Sequence, residues 1–232
     1  MISSQNKNKA FTLAETLITL AVIGVVAAFT IPTLHSKFKE QATVAKARKL
    51  YATLDMAYNA AVLSKGSAEY WGTKPWSEEA AHRVFEILFE PYFKIRKNCG
   101  TSNEGNCIIN ENYLTFYGNK HYIYAERDGY YKIVLNDGSQ VWFRGGDPEE
   151  LQEFIGIYYD VNGANPPNQV GVDLFLFIGR NNRVVPEGID TFDSACKKKS
   201  GFNCTAWVVH KGNMEYLRCD DLKWNGKQKC SK

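Results

Sequence analysis

The sequence has little net charge and no long block of like charges. Its 28 Lys and Arg residues nearly balance 25 Asp and Glu residues, which gives a formal net charge of +3. A protein that binds polyanions usually has a strong basic excess or a basic tail, so the composition argues against nucleic acid as a partner. Its 44% hydrophobic content excludes a disordered chain, and its negative mean hydropathy excludes a polytopic membrane protein.

The patterns typical of catalytic and zinc sites are also absent. No Gly-x-Ser-x-Gly, no phosphate-binding Gly-rich loop and no Cys-x₂-Cys pair occurs. No His-Glu-x-x-His occurs either, and the four histidines lie far apart in the sequence, at His35, His82, His121 and His210. The sequence therefore predicts neither an enzyme nor a required cofactor.

One long apolar segment is present near the N-terminus. It runs from Phe11 to Leu34, and Glu15 is its only charged residue. A bilayer core is spanned by about 20 apolar residues in a helix, so the segment is long enough to cross a membrane. Lys7 and Lys9 precede it and favour a cytoplasmic N-terminus.

Two ordinary interpretations of this segment leave Glu15 unexplained. A secretory signal would be cut after residues 26–28, Val-Ala-Ala, and the mature chain would begin near Phe29. A plain membrane anchor is the other interpretation. An ionised carboxylate at membrane depth costs at least ~2.5 kcal/mol unless it has a partner. A cut just before Phe11 would supply one, because the new α-amine would lie four residues from the carboxylate.

Residues 9–15, Lys-Ala-Phe-Thr-Leu-Ala-Glu, resemble the cleavage and methylation motif of type IV pilins and of the pseudopilins of type II secretion. The resemblance implies that a prepilin peptidase cuts between Ala10 and Phe11 and methylates the new N-terminus. It implies that Glu15 pairs with the terminal amine of a neighbouring subunit, and that Pro32 kinks or loosens the helix where it leaves the membrane. Ala10 departs from the glycine usual before the cut, so we expect slower processing.

The resemblance also implies a function, a location and partners. The chain would be a structural subunit of a type IV pilus-like or pseudopilus filament. Its precursor would lie in the bacterial inner membrane with the head outside, and would later enter a periplasmic pseudopilus or a surface pilus. Its partners would be a prepilin peptidase, sibling subunits and the assembly platform. The alternative is a secreted or surface binding protein, an adhesin or DNA-uptake receptor, with an ordinary cleaved signal.

Beyond Pro32 the sequence predicts that the helix continues with one apolar face. Apolar residues recur at alternating spacings of three and four, at Val44, Ala47, Tyr51, Leu54, Tyr58 and Ala61. The helix is expected to end near Ser64, with Gly66 as its cap. The predicted organisation is a leader at 1–10, a transmembrane and assembly segment at 11–34, an amphipathic continuation at 35–64 and a head at 65–232.

The head has the pattern of an α+β domain. An amphipathic helix is predicted within residues 76–95, ending near Pro91, and a short helix is predicted to begin at 147–150. Residues 136–138, Asn-Asp-Gly, indicate a hairpin turn. Strands are predicted at 121–125, 130–135, 140–143, 155–159, 172–178 and 183–185. Helices followed by hairpin-linked strands predict an α+β fold with an antiparallel sheet. The resemblance implies a pilin-like arrangement, in which the long N-terminal helix packs on that sheet.

The loop between residues 160 and 173 allows two interpretations. Asp160, Asn162 and Asp173 carry hard oxygen ligands of the kind that Ca²⁺ binds, and some pseudopilin heads bind calcium. The Asn-Gly and Pro-Pro pairs in the loop are equally typical of a turn whose side chains bond their own backbone. The sequence favours the turn and leaves structural calcium as the alternative.

The six cysteines fit an exported head, where disulfides persist. Their spacing favours pairs between cysteines that are close in the sequence. Cys99–Cys107 is the most strongly favoured pair, because both residues are expected to lie in one polar loop. Crossed pairing among the last four cysteines remains open. The favoured pairs are Cys99–Cys107, Cys196–Cys204 and Cys219–Cys230.

Overall fold

The computed structural model of the 232-residue chain describes residues 12–73, 77–102, 107, 113–121, 129–147 and 154–231. The chain divides into two compact units, Met1–Gln41 and Ala42–Lys232. The division falls inside the long helix, whereas the boundaries expected from the sequence lie at residues 34 and 64, which stay predictions. The predicted leader and Phe11 lie outside the described residues.

Helix α1, Leu13–Lys65, is the longest element and contributes residues to both units. It continues past Pro32, as the renewed apolar periodicity predicts. Proline has no N–H, so the carbonyl of Ala28 lacks its usual helical donor. In the first unit the large apolar side chains of α1 are exposed.

In the second unit, α1 buries one face in the core of the head. The predicted stripe is confirmed, with Tyr51 half-buried at its edge. Leu50 and Ala57 also lie on the buried face, which is therefore wider than the predicted stripe. The helix ends at Lys65, and Gly66 follows with a φ of 79°, a left-handed conformation that favours glycine.

The head is built on a six-stranded antiparallel sheet with the order β1-β4-β5-β6-β7-β8. The described strands are β1 (Ile95–Gly100), β2 (Tyr113–Leu114), β3 (Lys120–His121), β4 (Tyr131–Leu135), β5 (Gln140–Gly145), β6 (Ile155–Asp160), β7 (Leu174–Arg180) and β8 (Arg183–Pro186). β2 and β3 form a separate two-stranded pair. A long helix packed on an antiparallel sheet confirms the predicted α+β class.

Alternate residues of the strands enter two different clusters, as a period of two requires. On one face, Ile133, Phe143 and Phe177 belong to the main core, which also contains the buried residues of α1. On the other face, Trp142 and Leu174 belong to a smaller cluster. Helix α1 packs closely against β7 at Gly179. A Cβ atom on this glycine would lie only 2.8 Å from Cε2 of Tyr58, so a larger residue would not fit without a shift.

Short helices complete the head. α2, Glu78–Val84, continues as a π-helical turn at Phe85–Phe89, and Ser77 caps it by accepting the N–H of Ala80 at 3.1 Å. α3 is Phe192–Ala195 and α4 is Thr205–Lys211. Single 3₁₀ turns occupy Ala68–Tyr70, Phe202–Cys204 and Glu215–Leu217.

The structure corrects two local predictions. Cys99 lies in strand β1 and not in a loop. The strand was not predicted, because a polar edge strand lacks the alternation that marks a strand in the sequence. β7 begins at Leu174, since residues 172–173 belong to the preceding turn. The short helices of the C-terminal region were not predicted. The remainder of the strand expected at 121–125, and residues 148–150 of the expected short helix, lie outside the described residues.

Candidate functional site

The N-terminus of α1 is closed by a reciprocal pair of hydrogen bonds between Thr12 and Glu15. The backbone N–H and the hydroxyl of Thr12 both donate to Oε2 of Glu15, each at 2.8 Å. The backbone N–H of Glu15 in turn donates to Oγ1 of Thr12 at 3.2 Å. This is a capping box, in which a Thr and a Glu three residues later satisfy each other's orphan donors. The pattern Thr-x-x-Glu at residues 12–15 is the sequence signal of such a box, and the box was not predicted from the position of Glu15 in the apolar segment alone.

The helix that follows is apolar on every side. Leu13 and Phe29 are 78% and 76% exposed, and the apolar residues between them are also largely exposed. α1 is long and apolar enough to cross a membrane, and none of its most apolar stretch is buried within the chain. Exposed apolar area of this extent is unfavourable in water, so the segment requires lipid or other helices around it.

Small residues on this helix leave room for a close neighbour. A Cβ placed on Gly24 would meet no atom within 4 Å. Ala21, Ala27 and Ala28 flank it, and small side chains let two helix backbones approach each other in an apolar medium. The processing residues Ala10 and Phe11 lie outside the described residues, so their predicted roles stay predictions, as do those of Glu15 and Pro32.

The loop between β6 and β7 is held by two buried carboxylates. Oδ1 of Asp160 accepts the N–H groups of Asn162 at 3.0 Å and Gly163 at 2.8 Å. Its Oδ2 accepts the hydroxyl of Tyr113, which is buried beside it. These hydrogen bonds connect the loop to strand β2 and also stabilise the turn within the loop.

Asp173 closes the other end of the same loop. Its Oδ2 accepts the N–H of Asn168 at 2.8 Å, and its Oδ1 accepts the N–H of Gln169 at 2.6 Å. Both oxygens of both carboxylates thus already accept a hydrogen bond from the protein. This supports the interpretation of the loop as a self-bonded turn.

Burial changes the titration of both carboxyl groups. Burial raises the pKa of Asp160 to about 7; the nearby charge of Asp173 adds to the rise, and the hydrogen bond from Tyr113 opposes it. Burial likewise raises the pKa of Asp173, against the bonds from Gln169 and Asn168. Low dielectric disfavours the charged form of a carboxyl group, which explains both directions.

The described part of the chain contains no group of three or more His, Cys, Asp or Glu side chains that could hold a metal ion. Asn162 donates from Nδ2 to the carbonyl of Asn165 at 2.9 Å, a bond within the loop. Calcium held by Asp160, Asn162 and Asp173 stays a prediction.

The six cysteines form three disulfides in the head, and all three are the local pairs favoured by the spacing. Cys99–Cys107 lies at β1, while Cys196–Cys204 joins α3 to the turn before α4. Cys219–Cys230 closes the last segment of the chain. Disulfides of this number suit an oxidising compartment outside the cytoplasm.

The described histidine side chains do not form a site with one another. His82 lies edge-on to the ring of Tyr131, and His210 lies between Tyr51 and Trp224. His35 lies on the exposed part of α1 in the other unit. These contacts are packing contacts of aromatic rings.

Comparison with known proteins identifies a sequence motif at the N-terminus of the chain. Residues 5–31 match the prokaryotic N-terminal methylation motif, which covers residues 5–10 of the predicted leader, the predicted cleavage point and most of the apolar segment. No curated protein and no solved structure matches the chain. The motif belongs to a structural family rather than a catalytic one. The chain thus carries at its N-terminus the signature of the type IV pilins and pseudopilins.

Proposed function

We propose that this protein is a structural subunit of a type IV pilus-like or pseudopilus filament, assembled through the N-terminal part of α1. The observation that carries the proposal is the match of residues 5–31 to the methylation motif, followed by an exposed apolar helix. The motif implies a precursor that is processed by a prepilin peptidase and assembles with other pilin-type subunits. The apolar helix is consistent with a membrane-anchored precursor.

Glu15 has the central role in the proposed assembly. In the isolated chain its carboxylate is satisfied by the two donors of Thr12. During assembly, the N-methylated amine of Phe11 on a neighbouring subunit would replace them, because a charged donor bonds a carboxylate more strongly than neutral donors do. In an apolar surrounding such a pair fixes the register between subunits, since an unpaired carboxylate there is costly.

Processing is tested by determining the N-terminus of the mature protein. We expect a chain that begins at N-methylated Phe11, recovered from cells that contain a prepilin peptidase. Mass spectrometry of the intact protein and of its N-terminal peptide measures this directly. A chain beginning at Phe29 would instead support a cleaved secretory signal and would refute the proposal.

Assembly is tested by Glu15→Ala. We expect the precursor to remain stable and membrane-bound while its amount in the sheared filament fraction falls below about a tenth of the wild-type amount. Glu40→Ala is the matched control, because Glu40 lies on the same helix beyond the apolar segment. Normal filaments from Glu15→Ala would contradict the proposed role of the carboxylate.

A further inference from the structure

The head contains an open cleft beside α1 that the assembly mechanism does not use. It has a volume of about 510 Å³ and lies between α1, the segment at residues 92–94 and the β4–β5 turn. Its apolar wall includes Leu50, Phe93 and Tyr159. Tyr92, which is 41% exposed, stands at the same cleft. The shape and lining suit an aromatic side chain from outside the molecule.

The rim of this cleft is basic. Lys46, Lys49 and Lys94 line it, against one carboxylate, that of Asp137. Nζ of Lys46 donates to the carbonyl of Val161 at 2.7 Å. Burial tends to raise the pKa of Asp137, but bonds from Ser139 and the charges of Lys46 and Lys49 lower it overall. Lys49 and Lys94 are exposed at this rim, where three lysines face one carboxylate, and they can therefore meet an anionic group on a partner.

The far end of α1 in the head carries a complementary protrusion. Tyr70, 78% exposed, lies in the 3₁₀ turn that follows the helix, and the exposed Glu69 is its neighbour. Leu63, on the last turns of α1, is 89% exposed. Exposed aromatic and aliphatic side chains beside a carboxylate are unfavourable in water but suit a basic cleft with an apolar wall.

The cleft and the protrusion are different surfaces of one molecule. Lys49 and Leu63 are fourteen residues apart on α1, which is about 21 Å along the helix axis. When a single contact of this kind joins two copies, it is heterologous and leaves a free cleft at one end of the pair and a free protrusion at the other. Repetition of such a contact extends an open polymer wherever the rotation between copies does not close a ring, which is the geometry that a filament requires.

We propose that the lysine-rimmed cleft of one copy receives the Glu69–Tyr70 protrusion of a second copy of this chain. The inference rests on the proposed filament function and identifies a contact between heads. Tyr70 fills the apolar part of the cleft, and Glu69 meets Lys49 and Lys94 at its rim. Charge complementarity sets the orientation of the contact, and the apolar contact stabilises it.

The contact is tested in filaments of the full-length chain with a photo-crosslinking residue, Tyr70→p-benzoylphenylalanine. We expect illumination to yield a covalent dimer whose crosslink maps by mass spectrometry to residues 46–53 or 92–94 of the other copy. The control places the same residue at Tyr117, which is 61% exposed in another part of the head. Its crosslinks are expected outside the cleft.

Charge reversal tests the rim. Glu69→Lys and Lys94→Glu are each expected to reduce the Tyr70 crosslink about tenfold, because like charges then face each other. Combining the two substitutions should restore the crosslink. Lys65→Gln is the matched control at the nearby end of α1, and it should leave the yield of the Tyr70 crosslink unchanged. All three side chains are exposed, and the melting temperature of each variant verifies its folding.

The outcomes separate this contact from the function on which it rests. Filaments whose Tyr70 crosslinks map outside the cleft, or that are insensitive to charge reversal, overturn the contact and leave the filament function intact. Absence of filaments from the wild-type chain in a host with the assembly machinery overturns the function and the contact together. A crosslink inside the cleft that follows the charge reversal supports both.

Discussion

Asp160 illustrates what a single buried carboxyl group does in this head. Its side chain is fully buried, accepts two backbone N–H groups of its own loop and accepts the hydroxyl of Tyr113. These bonds position the loop, but the surrounding low dielectric raises the pKa to about 7. The same group therefore gives the loop its shape and makes its stability depend on pH.

The free energy of unfolding is expected to fall as pH rises towards 7. With its pKa raised above the ordinary carboxyl value near 4, folded Asp160 keeps a proton that the unfolded chain has already lost, so protonation favours the folded state. The slope from this group is at most about 1.4 kcal/mol per pH unit. In Asp160→Asn the titrating group is absent, and we expect a flatter profile between pH 5 and pH 8.

Urea unfolding of the detergent-solubilised full-length chain at these two pH values measures the difference between variant and wild type. Asp190→Asn, which changes an exposed carboxylate, serves as the control and should follow the wild-type profile. Parallel profiles for Asp160→Asn and wild type would show that Asp160 does not titrate in this range.

At the scale of elements, α1 is fixed to the C-terminal region by one arginine. Nε of Arg48 donates to the carbonyl of Val209 at 2.7 Å, and its Nη2 donates to that of His210 at 3.2 Å. Both carbonyls lie in the last turn of α4, where carbonyl groups lack helical donors and the helix dipole favours a cation. Gly212, with a φ of 70°, follows and leaves room for the guanidinium.

Arg48→Gln is expected to lower the free energy of unfolding by about 1 kcal/mol, because it removes two charge-assisted hydrogen bonds at a partly exposed site. Thermal unfolding of the purified full-length chain measures the loss. Lys49→Gln changes the next residue, which is exposed, and should alter stability by less than about 0.5 kcal/mol. Equal effects of the two substitutions would show that the cap does not contribute.

Elements with strong periodicity were predictable from the sequence, and short or polar ones were not. The residues of α1 that meet the head repeat every three or four positions, and β4 to β8 are short runs rich in β-branched and aromatic residues, so their positions follow from the sequence. β1 has the sequence Ile-Arg-Lys-Asn-Cys-Gly and shows no alternation, because an edge strand buries little of itself. The first five residues of α4 are all buried, and the helix is too short to show a helical period.

The residues of the candidate site also differ in whether the sequence could predict their roles. Glu15 stood out because it is the only charge in an apolar segment. Tyr113 as a partner of Asp160 was not predictable, since the two residues are 47 positions apart and only the fold brings them together. Long-range side-chain contacts of this kind leave no local signal in one sequence.

On the scale of the whole molecule, the head is held by three short covalent loops that differ in burial. Cys196 and Cys204 are almost fully buried, as are Cys99 and Cys107. Cys219 and Cys230 are half-buried near the end of the chain. A disulfide reacts only where a thiolate can reach a sulfur atom, so these bridges differ in how far the head must open before they react.

Mild reduction of the folded chain is expected to open Cys219–Cys230 first. The Cys196–Cys204 bridge should react only when the head unfolds, because a thiolate cannot reach its buried sulfurs. Differential alkylation followed by mass spectrometry gives the order. Simultaneous loss of all three bridges at low reductant would indicate instead that the head opens as one unit.

The two edge strands of the six-stranded sheet, among the residues that the structure describes, are poor templates for a further strand. β1 pairs irregularly with β4, with two register shifts, and exposes Arg96 and Lys97. At the opposite edge, β8 is four residues long and ends at Pro186, which has no N–H to donate. These features disfavour pairing between the edge strands of neighbouring molecules, which is the first step towards a cross-β aggregate. In the proposed filament, heads can therefore lie close together without offering each other a regular strand edge for cross-β pairing.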